Sequence, residues 1–338
     1  MVEPRRAAKK SAPRVELPAP PSELYEEAYR LAEQAPKPAL FRNVRSGSSG
    51  WSDASLSRGE LFYPKQVKTP EARLRHYAEH FELVEVDATY YALLDADTFR
   101  RWAEWTPASF HFDVKAHPIF TGHPIDRRRL PEDLAQAAPE GERMYPKDLP
   151  REFALEIEAR YFAGLAPLLE CGRLSSILIQ FPPWFDATRG HVRQIESLRA
   201  RYPEAPFSVE FRNRSWLLPE RQARVIELLR SLDLPYVVVD EPDVERGGVP
   251  PLTFVTSRRL AVVRFHGQNR AAWQRPGATV AERFNYLYGR PELFDWSERV
   301  RRLADEAEEV HAVFNNCIRN YALLNAKGLT ALLAESAA

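Results

Sequence analysis

The chain contains very little cysteine and no long apolar run. Cys171 and Cys317 are its only cysteines among 338 residues, and they lie too far apart for the spacing of a metal site. No apolar stretch reaches the length of a signal peptide or a membrane span. These absences argue against a disulfide framework, a cysteine-bound metal and a membrane partner, and they predict a protein of the reducing cytoplasm.

Neither sign of charge is in excess. Lys plus Arg and Asp plus Glu number 47 each, so overall charge does not indicate a nucleic-acid partner, although it leaves room for a local basic patch. The phosphate-binding patterns G-x-G-x-x-G and G-x-x-x-x-G-K-[ST] are also missing. The remaining composition, 44% hydrophobic and 28% charged, is typical of a globular chain with a large core.

Residues 1–40 differ from the rest of the sequence. This arm is rich in Ala, Pro and basic residues, among them Arg5, Arg6, Lys9 and Lys10, and a short helix is expected after Ser22. A basic arm without aromatic residues is more often a solvated tail than a nucleic-acid-binding element. We therefore predict an appended arm followed by one domain over 41–338, with a long proline-rich loop at about 118–150 that forms a lid or an elaborated connection.

Within this domain, short apolar runs alternate with amphipathic stretches. Thr69 and Pro70, for example, are suited to begin a helix whose apolar residues share one face. Among the later segments between strands, only 241–259 lacks an obvious helix. Helix-length connections disfavour an antiparallel sheet, and eight strands favour a single (β/α)8 TIM-type barrel over a doubly wound open sheet. The eight predicted strands are 41–47, 83–87, 110–115, 177–181, 207–212, 236–240, 261–266 and 312–316.

Polar side chains recur on alternate residues of these runs. In "VRFHGQN" at 263–269, Arg264 and His266 share one face of the strand. Alternate residues of a barrel strand point inward, and barrel active sites lie at the carboxyl ends of the strands, so these side chains are expected to converge there. The same phase in the other runs carries Glu85, Asp87, His111, Asp113, Lys115, Gln180, Ser208, Glu210, Arg212, Asp240 and Asn316.

This constellation predicts an enzyme of undetermined reaction class that uses acid–base chemistry. If Glu85 and Glu210 are neighbours, the repulsion between their negative charges raises the pKa of one of them, so that one can act as an acid and the other as a base. His266 could transfer protons near neutral pH. Lys115, Arg212 and Arg264 resemble a clamp for a small phosphate- or carboxylate-bearing, sugar-like substrate. The other predicted substrate-binding residues are Asp87, Gln180, Asp240, Asn316, Trp51, Tyr91 and Trp216.

Other readings of the same residues stay open. The network could be a polar core that only fixes strand register. Divalent metals bind side chains of the kind found at Glu85, Glu210, Asp240 and His266. The cationic side chains interleaved with them compete for the carboxylates. We therefore predict no cofactor and keep a bound divalent metal as the alternative.

A protein that binds nucleic acid or processes phosphodiesters is the alternative function. It would use aromatic residues near the barrel mouth and the basic residues 127–129. The aromatic set is Trp51, Tyr90, Tyr91, Trp184, Phe185, Trp216 and Trp273. A non-catalytic scaffold that presents 118–150 is a third reading.

Nine ordered motifs resemble the YecE-like proteins, domain of unknown function seventy-two. They are "GSSGW" (47–51), "FYP" (62–64), "YAEHFELVEVDATYYAL" (77–93), "WAEWTPASFHFDVKA" (102–116), "TGHP" (121–124), "LIQFPPWF" (178–185), "VEFRNRSW" (209–216), "VRFHGQN" (263–269) and "VFNNC" (313–317). The resemblance implies one eight-stranded α/β barrel, similar in broad shape to xylose-isomerase-like and endonuclease-IV-like barrels. It implies no settled activity, so it assigns no catalytic residue. Ser46 departs from the apolar residue usual in the first strand.

Overall fold

A nearly closed barrel of eight parallel strands forms the centre of the molecule. The computed structural model describes residues 17–57, 60–244 and 248–335. The strands are β1 (Val44–Ser49), β2 (Leu83–Val86), β3 (His111–Lys115), β4 (Leu174–Gln180), β5 (Phe207–Glu210), β6 (Val237–Asp240), β7 (Ala261–Phe265) and β8 (Val310–Phe314).

Each strand pairs with the next strand in the chain, and β8 returns to pair with β1. Between β5 and β6 the barrel closes through one bridge, from Val209 to Tyr236, where the Val209 amide donates to Pro235 at 2.8 Å. This order confirms the predicted TIM-type barrel rather than a doubly wound sheet.

The strand sequences suit burial on both faces. Val237, Val238 and Val239 of β6 are all fully buried, and β-branched side chains pack well on such a surface. The first strand begins later than predicted because Leu40–Phe41 folds back as a short antiparallel strand against Val44 and Arg45.

The polar Ser46 is tolerated in β1 because it has a partner. Its side chain is fully buried, and its hydroxyl accepts a hydrogen bond from the Thr330 hydroxyl at 2.9 Å. A buried hydroxyl with a hydrogen-bond partner avoids most of the cost of leaving water.

Helices follow most strands and cover the barrel. Thr69 caps its helix as predicted, since its side chain accepts from the Ala72 amide at 3.1 Å, and Pro70 is the first helical residue. The long helices are α1 (Ser22–Glu33), α2 (Pro70–Ala78), α3 (Ala96–Glu104), α4 (Arg151–Glu170), α5 (Arg189–Arg201), α6 (Pro219–Ser231), α7 (Arg290–Glu306) and α8 (Tyr321–Glu335).

Helix α7 begins at Arg290. Pro291 lies in its first turn, and Glu292 reaches back to accept from the Gly289 amide at 2.9 Å. Pro and Glu at these positions favour a helix start.

Helix α1, inside the predicted arm, packs against α8. Ala28, Leu31 and Ala32 are buried, and the Tyr25 hydroxyl donates to Asn320 at 2.8 Å. The basic residues of the arm, Arg5 to Arg14, lie outside the described residues. No helix in the described part of the chain is both long enough and apolar enough to cross a bilayer.

The loops after the strands contain short elements. The segment predicted as a long loop at 118–150 contains the helices Pro118–Thr121 and Glu132–Ala137 and a ribbon of Ile125–Asp126 with Arg143–Met144. The remaining short helices are Ala54–Ser57, Ala88–Tyr91, Arg270–Gln274 and Val280–Arg283, and 3-10 turns lie at Arg127–Arg129, Pro146–Asp148 and Arg214–Trp216. Within 241–259 the described residues form no helix, as predicted.

Candidate functional site

Arg264 lies in the barrel interior between two carboxylates. Its Nε and Nη2 donate to the two oxygens of Glu85 at 2.8 and 2.6 Å, and its Nη1 donates to Glu210 Oε2 at 2.6 Å. All three side chains are at most 1% exposed. The two-pronged contact fits the planar guanidinium, so one arginine joins carboxylates from β2 and β5.

The two carboxylates differ in their affinity for a proton. Burial raises the pKa of Glu85, and the attraction of Arg264 does not cancel that effect. Burial acts on Glu210 in the same direction, but Arg264, His266 and Arg212 together hold its pKa well below the usual range. Glu85 therefore holds a proton more readily than Glu210 does.

Three further side chains surround Glu210. Gln180 donates to its Oε1 at 2.7 Å, and Arg212 Nη1 lies 3.2 Å from the same oxygen. His266 Nε2 lies 3.6 Å from that oxygen, is buried and has no hydrogen-bond partner in the described chain. Burial lowers the pKa of His266 to about 3, so its imidazole is neutral at physiological pH.

A second group of residues extends from Glu85 to the barrel mouth. The Ser49 hydroxyl lies 2.7 Å from Glu85 Oε1 and 2.7 Å from Asp87 Oδ2. One hydroxyl has one proton, so it can donate to only one of them at a time. Lys115 Nζ lies 3.8 Å from Asp87 Oδ1 and 4.8 Å from the Tyr90 ring centre. The side chains of Lys115 and Arg212 keep 16% and 14% exposure, so these cations, unlike Arg264, are partly open to solvent.

Asp240 and Glu241 complete the network at the end of β6. Gln268 donates to Asp240 at 2.7 Å, and the Tyr288 hydroxyl donates to its other oxygen. Glu241 pairs with Arg212 Nη1 at 2.7 Å. Burial raises the pKa of Glu241 to about 7, although Arg212 opposes the shift. Glu241 is therefore a buried acid that titrates near neutral pH.

Buried polar atoms without partners occur beside Arg212. In the described part of the chain, His266 Nε2 and Trp273 Nε1 have no hydrogen-bond partner. Arg212 lies 5.4 Å from the Trp273 ring centre, and Phe284 contacts both the His266 and the Trp273 rings. Buried polar groups in proteins are nearly always bonded, so this location favours a bound water or ligand.

The aromatic residues predicted to bind substrate have different environments. Trp216 is buried, donates from Nε1 to the Phe185 carbonyl at 2.7 Å and stacks on Phe211, so it belongs to the wall. Trp51 is also buried and packs edge-on against Trp102. Tyr91 is 50% exposed, with Arg129 4.7 Å from its ring centre.

Asn316 also serves the wall of the barrel. Its amide donates to the Tyr286 carbonyl at 2.8 Å and to Asn325 Oδ1 at 2.9 Å. Its own Oδ1 is buried without a partner in the described part of the chain.

His111 and Asp113 do not join the Arg264 network. His111 is the first residue of β3, and Asp113 contacts His311 Nδ1 at 2.8 Å. With Glu309 and Arg45 they form a separate cluster at the amino ends of the strands. The expectation that their charges gather at the carboxyl ends is therefore wrong for these two residues, because His111 is the first residue of β3 and Asp113 is its middle residue, and neither ends the strand.

Several residues of the network were missed by the sequence reasoning. Ser49 and Gln268 lie inside the quoted motifs and could have been found as the polar residues just at or after a strand end. Glu241 follows Asp240 directly but falls out of the alternating phase. His311 was missed because the predicted last strand began at 312, whereas β8 starts at Val310. No strand pattern points to Tyr288.

The fold and this centre define a class of protein: a TIM-type barrel with a buried ionisable network at the carboxyl ends of its strands. The chain belongs to the DUF72 family, since residues 45–338 match the model described as "Protein of unknown function DUF72". It is 31% identical over 290 residues to UPF0759 protein YunF of Bacillus subtilis strain 168, which covers 85% of this chain and 93% of YunF. The resemblance to domain of unknown function seventy-two seen in the motifs is thereby confirmed.

Solved structures of similar chains share the barrel. A DUF72 family protein from Enterococcus faecalis V583 superposes with a TM-score of 0.71 at 28% identity, covering 86% of this chain and 95% of its own. A DUF72 family protein from Thermotoga maritima MSB8 gives 0.67 at 31% identity, covering 86% and 99%. These comparisons concern family and fold, and they name no reaction.

Proposed function

We propose that this protein is an enzyme that applies general acid–base chemistry to a small phosphate- or carboxylate-bearing, sugar-like substrate. The observation that carries the proposal is a pair of buried carboxylates, Glu85 and Glu210, that one arginine joins and that differ in proton affinity. They lie at the barrel end where enzymes of this fold have their active sites. A pair of carboxyl groups with separated pKa values is the usual basis of acid–base assignments.

The geometry supports a division of roles among the cations. Arg264 is a positioning residue, because its Nε, Nη1 and Nη2 already bind carboxylates and it is buried. Lys115 and Arg212 are partly exposed and are the groups proposed to bind the substrate anion. Glu210 is the proposed base, Glu85 the proposed acid, and neutral His266 offers Nε2 to the substrate.

A thermal-shift screen against sugar phosphates, nucleotides and small carboxylates tests the binding step. A ligand at a hundredfold excess over its Kd stabilises the folded state by about 2.7 kcal/mol. Arg212→Met is expected to abolish the shift. The matched control is Arg214→Met, because Arg214 lies on the same loop but pairs with the exposed Asp243. No stabilising anion, or an equal shift in both variants, would argue against the proposal.

The chemical step is tested on any ligand found in this way. Glu210→Gln is expected to lower turnover, followed by NMR of the substrate, by about 10²- to 10⁴-fold while binding persists. Full turnover by this variant would remove Glu210 from the mechanism.

One observation favours a second candidate, the binding of single-stranded nucleic acid. Tyr91, Tyr90, His123 and Trp184 form a continuous row at the barrel mouth, with ring centres 5.1 to 5.6 Å apart, and Trp184 is 58% exposed. Bases stack on such rings without sequence preference. Binding of an oligonucleotide that quenches Trp184 fluorescence and weakens steeply with salt would support this candidate; Trp184→Phe is the variant to compare.

A further inference from the structure

We propose that His111, Glu309 and His311 bind a divalent transition metal such as Zn²⁺ at the amino end of the barrel, away from the acid–base site. His311 Nε2 lies 3.2 Å and His111 Nδ1 lies 3.6 Å from the same oxygen, Glu309 Oε1. The three donor atoms lie within 4.8 Å of one another. A tetrahedral ion with bonds of about 2.0–2.1 Å separates its ligands by roughly 3.4 Å, so both measured distances are close to that spacing.

His311 is held in the orientation that metal binding needs. Its Nδ1 lies 2.8 Å from Asp113 Oδ2, which leaves Nε2 facing Glu309. That Nε2 is buried and has no hydrogen-bond partner in the described part of the chain, although Glu309 is near. A carboxylate on one ring nitrogen and an ion on the other is the usual arrangement of metal-bound histidine.

The neighbours of the other two ligands are compatible with an ion. Arg45 Nε contacts Glu309 Oε1, the same oxygen that faces both histidines, and Arg45 Nη1 contacts Glu82, so an ion would share Oε1 with the guanidinium. Ligating carboxylates commonly have such a partner. Ser175 contacts His111 Nδ1 and would have to release that lone pair to the metal.

The charges around the cluster favour one additional cation. Three carboxylates, from Glu309, Asp113 and Glu82, face the guanidinium groups of Arg45 and Arg259. Arg259 also interacts with Asp233 and Arg199, whose opposite charges offset each other, and it donates to the Ser175 carbonyl at 2.8 Å. One negative charge is left over before any histidine is protonated. A proton on His311 would supply one positive charge and a divalent ion two, and the experiment below separates these two.

The donor set and the access route indicate the kind of ion and its role. Two imidazoles and one carboxylate suit Zn²⁺ better than Mg²⁺ or Ca²⁺, which prefer oxygen ligands. The side chains of His111 and Glu309 are 19% and 24% exposed, so an ion can enter from the amino end and keep a water ligand. The ion would join β3 to β8, which are separated by β2 and β1, and thus stabilise the barrel end that has no catalytic role in this fold.

A second cluster, His76, Glu79 and His80, must be kept apart in the test. Its donor atoms are also close together, but Lys327 Nζ lies 3.0 Å from His80 Nδ1 and competes there with a cation. The double variant His76→Gln/His80→Gln therefore serves as the matched control.

The test uses the full chain, stripped with chelator and titrated with ZnCl₂ and, separately, CoCl₂. We expect one Zn²⁺ per chain by mass spectrometry after dialysis, a higher Tm, and Co²⁺ absorption bands of tetrahedral intensity. The His76→Gln/His80→Gln control should retain all three. Asp113→Asn should weaken Zn²⁺ binding about 10- to 100-fold without removing a ligand.

His111→Gln should lose the ion while circular dichroism shows that it still folds, and Glu309→Gln is the second variant if it does not. Unchanged Tm with no bound Zn²⁺ would overturn the proposal and leave a protonated His311 as the cation. Binding that is lost in the His76→Gln/His80→Gln control but kept in His111→Gln would overturn it as well.

Discussion

Arg264 is the residue on which the polar interior depends. Arg264→Met would leave the buried Glu85 without its ion-pair partner and Glu210 with Arg212 alone, and breaking a buried pair of this kind typically costs 3–5 kcal/mol. We expect a loss of about that size in the free energy of unfolding at pH 7, measured by urea denaturation. Arg214→Met, which breaks an exposed ion pair, should cost less than about 1 kcal/mol. Equal stability of the two variants would contradict this role for Arg264.

Glu241 makes the stability of the fold depend on pH. The pKa of Glu241 is raised from 4.5 in the unfolded chain to about 7 in the folded protein. The protonated side chain therefore adds to the free energy of unfolding below the unfolded pKa, and this stabilisation is lost as the pH rises through about 7. Glu241→Gln removes this titration. The difference in unfolding free energy, wild type minus variant, should therefore fall by about 2–3 kcal/mol between pH 4 and pH 8. Parallel curves of the two proteins over that range would show that Glu241 titrates normally.

At the scale of elements, the contact between α4 and the loop before α3 requires a glycine. A Cβ on Gly164 would lie 2.3 Å from the Leu94 carbonyl oxygen. Gly164→Ala should therefore destabilise the fold by about 1–3 kcal/mol, although alanine is the better helix former. Gly190→Ala in α5 is the control, because the nearest atom there would be 3.9 Å away, and it should be neutral or slightly stabilising. Urea midpoints that move together in both variants would contradict the close packing.

At the scale of the whole molecule, the junction between β5 and β6 is the least paired one among the described strands of the barrel. Strands β5 and β6 meet through a single bridge, whereas β7 and β8 pair at five positions. Amides that depend on few interstrand bonds open locally at low cost. We expect faster hydrogen exchange, measured by mass spectrometry, in peptides spanning 207–212 and 236–240 than in 261–265 and 310–314. Equal protection of the two sets would mean that this junction is as stable as the rest of the barrel.

Much of the Arg264 network could be predicted because side chains alternate along a strand. Arg264, Glu85 and Glu210 were each placed inside the barrel by that period alone, without knowledge of their partners. The same rule misplaced Asp113, since alternation gives the direction of a side chain but not its height along the barrel. It also could not show that Trp216 stacks inside the wall, because burial depends on what other segments pack against it.

The amino-acid sequence alone was sufficient to predict the eight-stranded α/β barrel, the helix starts such as Thr69–Pro70, and the set of charged residues that face inward. These follow from local periodicity, capping and connection length, which act over a few residues. The three-dimensional packing was needed to show that Arg264 is saturated by two carboxylates, that Lys115 and Arg212 remain partly open to solvent, and that His311 belongs to a second cluster. Those outcomes depend on strand register and on distances between residues far apart in the chain, such as the 179 positions that separate Glu85 from Arg264.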